Sequence, residues 1–299
     1  MEFRKAERRR ARARIGIEGA SGSGKTHSSL LLASGLGEKI ALIDTEHSSS
    51  ELEAGKPDIP EFAVNILEPP YSPERYIEAI NAAEKAGFDV LIIDSLSHEW
   101  NGEGGILDDH ARMVKMGKNS FAAWKDLTPR HEKLIQAILG SPMHIIANMR
   151  SKTEHVLSND DKGKQVVKKM GMAAVQRDST EYEMTTVFKL DRDTHYATPS
   201  KDRTLFEGRE FIITRGIGEE LRGWLESGVE AQKSEPKEDP NNREMTDDEM
   251  KRFSDVVIRS GFKTLDECLS KFSIDRSALT KAAAIVIINK LREKTQRDK

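Results

Sequence analysis

The chain of 299 residues carries 47 Lys and Arg against 50 Asp and Glu, a net charge of −3, with 37% hydrophobic residues and one cysteine. That length allows one large domain and a small one with a packed core, while the solitary Cys268 excludes a disulfide framework and a cysteine metal site, and the scattered histidines lack ligand spacing. The longest apolar runs, such as 282–288, are too short to span a bilayer, and no apolar stretch backs the Arg-rich N-terminus, so the expectation is a cytoplasmic protein without membrane contact.

Arg4, Lys5, Arg8, Arg9, Arg10, Arg12 and Arg14 crowd the N-terminal arm, opposed only by Glu2 and Glu7. Such an arm suits contact with nucleic acid or an acidic partner, and equally a solvated helix face or a segment that docks subunits. A strand at 13–18 then enters Gly19-Ala20-Ser21-Gly22-Ser23-Gly24-Lys25-Thr26, which fits the phosphate-loop pattern at every fixed position. Glycines there let backbone N–H groups wrap a phosphate that a Cβ would keep away. Lys25 is placed to reach the β/γ-phosphates, Thr26 offers its hydroxyl to Mg2+, and the following helix adds the positive end of its dipole. The nucleotide-binding segment is taken to include His27, and the apolar run 28–36 forms a helix closed by Gly37.

Further strands are expected at 40–44, 63–67, 90–94 and 144–148, alternating with helices at 73–86 and 129–139, each with Pro near its start. This alternation predicts an α/β fold with a doubly wound, mostly parallel sheet. Next comes a polar stretch, 151–176, with Lys152, Lys162, Lys164, Lys168 and Lys169 and with Gly163 and Gly171 as flexible points. A long loop of this kind is functional or disordered. Its lysines suit sequence-independent contact with a phosphate backbone, without aromatic stacking platforms; a solvated lid over the nucleotide is the other reading. Strands at 184–190 and 209–214 extend the sheet, and 231–243, with Ser234, Pro236, Pro240 and paired Asn residues, reads as a linker. Thr246-Asp247-Asp248-Glu249 is a capping-box match that opens a helix over 250–260, closed by Gly261. Apolar-faced segments at 265–272 and 279–291 complete a small helical unit. The partition is a core at 1–230, a linker at 231–243 and a helical domain at 244–299.

In a parallel sheet the strand ends on the phosphate-loop side line the ligand crevice. Glu46, just past the strand 40–44, can there orient or deprotonate a water, or be an exposed loop acid. Asp94 ends a buried strand beside the expected Mg2+ shell, with a plain strand-end cap as its alternative. Glu99 is the second candidate for the catalytic carboxylate. Asn148 ends the next strand, where its amide can sense the γ-phosphate or serve only as a buried hydrogen-bonding group.

Together with the phosphate loop, the segments Ile43-Asp44-Thr45-Glu46, Ile92-Ile93-Asp94-Ser95-Leu96-Ser97-His98-Glu99-Trp100, Met149-Arg150-Ser151-Lys152-Thr153-Glu154, Gln176-Arg177-Asp178, Glu181-Tyr182-Glu183 and Lys201-Asp202-Arg203 resemble the phage-encoded RecA-like ATPases of the single-strand annealing and recombination class. The resemblance runs from about Phe3 to Leu225. It implies a RecA-like core that binds ATP and Mg2+, associates with single-stranded DNA and promotes annealing or strand pairing in the bacterial host of a phage. It also implies a homo-oligomer with the nucleotide between subunits, with a single-strand-binding protein or another phage recombination protein as a further partner. By position, Glu46 takes the place of the catalytic glutamate and Asp94 that of the Mg2+-associated aspartate. The stretch with Arg150, Lys152, Lys162, Lys164, Lys168 and Lys169 takes that of a DNA-binding loop. Lys201 and Arg203 fall where such proteins reach the neighbouring subunit's nucleotide. The sensor position carries Asn148 where the family usually has Gln. Phe3-Arg4-Lys5-Ala6 resembles a Phe-x-x-Ala segment that docks one subunit on the next, and the C-terminal unit resembles helical tails of phage recombination proteins.

Two other function classes share the phosphate loop. One is a nucleotide-gated adaptor that recruits a partner with little hydrolysis. The other is a small-molecule kinase, which would need a substrate pocket and a lid carrying arginines, where this chain has mostly lysines.

Overall fold

The computed structural model describes residues 3, 5–159, 165–229, 244–272, 279–281, 283–288 and 291, leaving out the side chains of 153–172. Strand β1 (Arg14–Gly19) is buried at every position, as a central parallel strand covered on both faces must be. The phosphate loop follows, then α1 (Lys25–Leu36), β2 (Ile40–Asp44), a 3-10 turn (Ser49–Glu53) and β3 (Ala63–Ile66). Helix α2 (Pro73–Ala86) starts with Pro in its first turn, where the missing N–H costs nothing, and stops at Gly87 in the left-handed region. Strand β4 (Val90–Asp94) is again wholly buried, and leads into α3 (Ser97–Asn101), α4 (Ile106–Lys115) and α5 (Ser120–Gly140). Then come β5 (His144–Asn159), β6 (Gln165–Ala174), α6 (Thr180–Glu183), β7 (Thr186–Leu190), β8 (Tyr196–Asp202), β9 (Phe211–Ile212) and α7 (Arg215–Glu226).

The strand order is β3-β2-β4-β5-β1-β7-β8-β9, with β6 paired to β5. Pairings from β3 across to β7 are parallel, and those of β5 with β6, β7 with β8 and β8 with β9 are antiparallel. This is the α/β fold with a mostly parallel sheet that the alternation of strands and helices predicts. Strand β5 separates the phosphate-loop strand from the Asp94 strand. Register aligns Asp44 with Asp94 and Asp94 with Asn148, so two strand-end acids and an amide that, against expectation, lies inside the longer β5 stand in one row on the face covered by α1. That face packs Ile15, Ile17, Leu42, Ile92 and Ile146 against α1 and α7. Helices α1 and α7 cross at backbone contact: a Cβ on Gly35 would lie 2.2 Å from the Arg215 carbonyl, and one on Gly218 2.3 Å from that of Leu32.

The structure changes four local expectations. The stretch 151–176 is not a loop; β5 runs on to Asn159 and pairs with β6 as a hairpin, Ser151 opposite Ala174 and Asn159 opposite Gln165. A ladder of backbone hydrogen bonds needs no apolar periodicity, which is why a lysine-rich sequence concealed it. Helix α5 starts at Ser120, nine residues before the expected 129, with Asn119 Oδ1 accepting from Phe121 N and Ala122 N, and it carries Pro129 in its interior. Strand β8, unforeseen, contains Pro199 and pairs with β7 through a register shift at Val187/Phe188. The strand expected at 209–214 is only the two-residue β9.

Three cations of the arm contact their own domain. Arg8 stacks 4.7 Å from the Trp224 ring centroid and bonds Ser227, Arg10 Nε donates to the Glu226 carbonyl at 3.1 Å, and the buried Arg14 donates to the carbonyls of Ala13, Leu139, Ser141 and Met143. Phe3 is fully exposed.

The chain divides into two compact units, Met1–Ala231 and Gln232–Lys299. In the second, α8 (Asp247–Arg259) opens on the Thr246–Glu249 capping box and α9 (Leu265–Lys271) on Thr246's counterpart Thr264, whose hydroxyl accepts from Glu267 N. They bury Phe253, Val257, Leu265 and Leu269 with Leu279, Ile287 and Leu291. The linker expected at 231–243 lies outside the described residues.

Candidate active site

The phosphate loop turns on Gly22 and Gly24, whose φ angles of +79° and +84° are open to glycine and strained for other residues. Lys25 Nζ folds onto the loop and donates to the carbonyls of Gly19 and Ala20, each at 3.0 Å, and burial holds its pKa below the usual lysine value. Thr26 Oγ1 donates to Asp94 Oδ2 at 2.5 Å. Burial raises the Asp94 pKa to about 6, against the Thr26 bond that lowers it, with the nearby Glu46 raising it further.

Asn148, fully buried, accepts from Ser29 Oγ at 2.6 Å. Glu46 stands at the other wall, where its Oε1 accepts from Arg150 Nε at 2.8 Å. Lys25, Thr26, Asp94 and Glu46 border a cleft of about 540 Å3 that reaches from Ser21 to Ser151; Asn148 lies buried beneath it and does not line it. His27 lies at its rim, Nδ1 2.9 Å from Glu53 Oε2 and Nε2 3.3 Å from Asp58 Oδ2.

The remaining predicted residues fall elsewhere. Glu99 is buried away from the cleft, 3.0 Å from His131 Nδ1 and accepting from Gln176 Nε2 at 3.2 Å, so it holds the segment after β4 to the foot of the hairpin. Lys201 Nζ donates to the carbonyls of Glu181 (2.7 Å) and Tyr182, outside the cleft, and Arg203 is exposed beyond the end of β8. Of the DNA candidates, Arg150 lines the cleft and Lys152 is exposed beside it; Lys168 and Lys169 lie on β6, opposite Val156 and His155. Lys162 and Lys164 lie outside the described residues.

Sequence reasoning missed the scaffold that aims Glu46. Asp44 Oδ1 accepts from Glu46 N at 2.6 Å, and its Oδ2 accepts from Ser50 N at 2.9 Å. Thr45 N donates to the Asp94 carbonyl at 2.8 Å, and Thr45 Oγ1 accepts from Ser95 N at 2.8 Å and lies 2.7 Å from His98 Nδ1. The signal was an acid and a hydroxyl next to each other at a strand end; their partners come from β4 and α3 and have no sequence spacing to read.

No curated protein matches the chain. Among solved structures, the crystal structure of the RadB recombinase is similar at 17% identity and a TM-score of 0.39, over 73% of this chain and 90% of that one. Residues 11–212, which hold every strand of the sheet and both walls of the cleft, match the family model described as AAA domain. With this match over more than half its length, the chain belongs to the AAA-domain family, whose members generally use a nucleotide and Mg2+.

Proposed function

We propose that this protein hydrolyses ATP, binds single-stranded DNA and promotes annealing or strand pairing in phage recombination, as a homo-oligomer with the nucleotide between subunits. The observation that carries the reading is one cleft holding the phosphate loop, Thr26, Asp94 and Glu46, with the lysine-bearing hairpin rooted at its wall through Arg150. The residues fit the family's metal: Thr26 Oγ1 and Asp94 Oδ2 are hard oxygen donors side by side, as Mg2+ requires. Mg2+ held there would neutralise charge on the β- and γ-phosphates.

In this reading the loop amides and Lys25 bind the phosphates, with Lys25 leaving the Gly19 and Ala20 carbonyls. Glu46 orients a water for in-line attack on the γ-phosphorus and takes up its proton, and the departing ADP carries the β–γ bridging oxygen. Arg203 and Lys201 supply positive charge to the neighbouring subunit's γ-phosphate; for Lys201 this requires release from the Glu181 and Tyr182 carbonyls. Lys152 and the hairpin lysines neutralise DNA phosphates, so affinity falls with salt.

Steady-state ATP turnover with and without a single-stranded oligonucleotide tests this. The expected outcome is that Glu46→Gln lowers turnover by about 10²-fold or more while nucleotide still binds. Negligible turnover in the parent with a strand present, unchanged in the variant, would instead favour the nucleotide-gated adaptor.

A further inference from the structure

The turn between β7 and β8 touches the phosphate loop. Register pairs Leu190, the last residue of β7, with Gly19, where β1 passes into the loop, so the residues that follow β7 lie beside it. One side chain builds the turn: Asp191 Oδ1 accepts from Asp193 N at 3.0 Å and from Thr194 N and Thr194 Oγ1 at 2.8 Å each. His195 N donates to the Asp191 carbonyl at 3.1 Å, and Asp191 N to that of Tyr196 at 2.9 Å. His195 is left at φ +58°, in the left-handed region that glycine or asparagine enters more readily. From there its Nδ1 lies 3.1 Å from the Ser23 carbonyl oxygen. A carbonyl only accepts, so that nitrogen carries the proton and donates. A Cβ on Gly24 would lie 3.5 Å from the same nitrogen, so the ring sits against the peptide that joins Ser23 to Gly24.

This contact sets a direction. The Ser23–Gly24 peptide is planar and trans, so its carbonyl and its N–H point opposite ways. A donor that holds the carbonyl from the β7–β8 side turns the Gly24 N–H away from that side, and Gly24 borders the cleft. Gly24, at φ +84°, has no side chain of its own to fix that pose.

We propose that His195 is a positioning residue for the nucleotide: by holding the Ser23 carbonyl it aims the Gly24 N–H at a phosphate oxygen in the cleft. It acts through the loop backbone, and so supports the bound substrate and the transition state alike. The inference rests on the cleft binding ATP, as proposed above.

The test uses the full chain with Mg2+, in parent, His195→Gly and His195→Asn forms. Glycine adopts the left-handed φ freely and removes the donor; asparagine also tolerates it and carries an N–H as many bonds from the backbone as Nδ1. Titration calorimetry gives dissociation constants for ADP and for a slowly hydrolysed ATP analogue, beside KM and kcat for ATP with oligothymidylate present. The expected result is that His195→Gly raises the dissociation constants and KM about two- to tenfold, the factor of one net hydrogen bond, and leaves kcat within about twofold. His195→Asn brings the constants back towards the parent's, which the loss of a merely structural ring would not allow. Unchanged dissociation constants in His195→Gly overturn the proposal. Constants weakened equally in His195→Asn assign the effect to the ring rather than to its donor and overturn it as well. A fall in kcat with unchanged dissociation constants places His195 in the chemical step, which equally overturns it. A parent that binds neither nucleotide removes the ATP-binding reading and this inference together, whereas a parent that binds both without turning over ATP removes only the ATPase reading.

Discussion

His144 opens β5 as a residue only 2% exposed, and its Nδ1 accepts from Ala13 N at 3.1 Å. Its Nε2 lies 3.0 Å from the Arg12 guanidinium. Burial, then the charges of Arg12 and Arg14, push its pKa down to about 4 from 6.5. The unfolded chain therefore binds a proton between about pH 6.5 and 4 that the folded one refuses, so stability falls as pH drops through that window and levels off below it. A shift of this size corresponds to at most ~3 kcal/mol. Chemical denaturation across pH 4 to 7 should show that slope in the parent and a flatter one in His144→Asn; equal slopes would mean that another group sets the acid limb. At this scale the sequence was most legible where chemistry fixes both residue type and place. Lys25 and Thr26 follow from the glycine pattern, and Asp94 from its strand end. Asp44, Thr45 and His98 were not legible, because each works through a partner that only the sheet brings near.

Helix α5 shows a different limit. Proline in a helix interior removes a hydrogen bond and crowds the preceding turn, at a cost of about 3 kcal/mol, so a proline normally marks the start of a helix and was read that way here. Yet Ala123 and Leu127 lie before Pro129, and His131, Leu134, Ile135 and Ile138 after it, all buried and spaced for one helical face. Packing of that continuous face outweighs the local penalty. Pro129→Ala is expected to raise the unfolding free energy by about 1–3 kcal/mol in urea titration, since Ala restores the missing donor. A lower stability would show that the proline ring itself is needed where α5 packs on α2. The hairpin is the reverse case. Its pairing runs through backbone bonds between β5 and β6, which leave no mark on the sequence, whereas β2 and β4, buried throughout, were legible to the residue.

The two units have separate cores. The large unit buries its residues in two clusters, one on each face of the sheet; the small one gathers Phe253, Val257, Cys268, Leu269 and a few neighbours into a third. A core of that size supports only marginal stability, because a short chain buries a small share of its surface. The nucleotide cleft draws on the large unit alone. A ligand that binds only the folded form stabilises it by about 2.7 kcal/mol at a hundred times its dissociation constant, and this stabilisation falls on the unit that holds the cleft. Scanning calorimetry of the full chain should therefore show two transitions, the smaller one at lower temperature. Mg2+ with a slowly hydrolysed ATP analogue should raise the larger and leave the smaller in place. A chain ending at Ala231 should keep the larger transition and its response to nucleotide. A single transition raised as a whole by nucleotide would mean that the two cores unfold together, and that the helical unit contributes to the stability of the ATP-binding core.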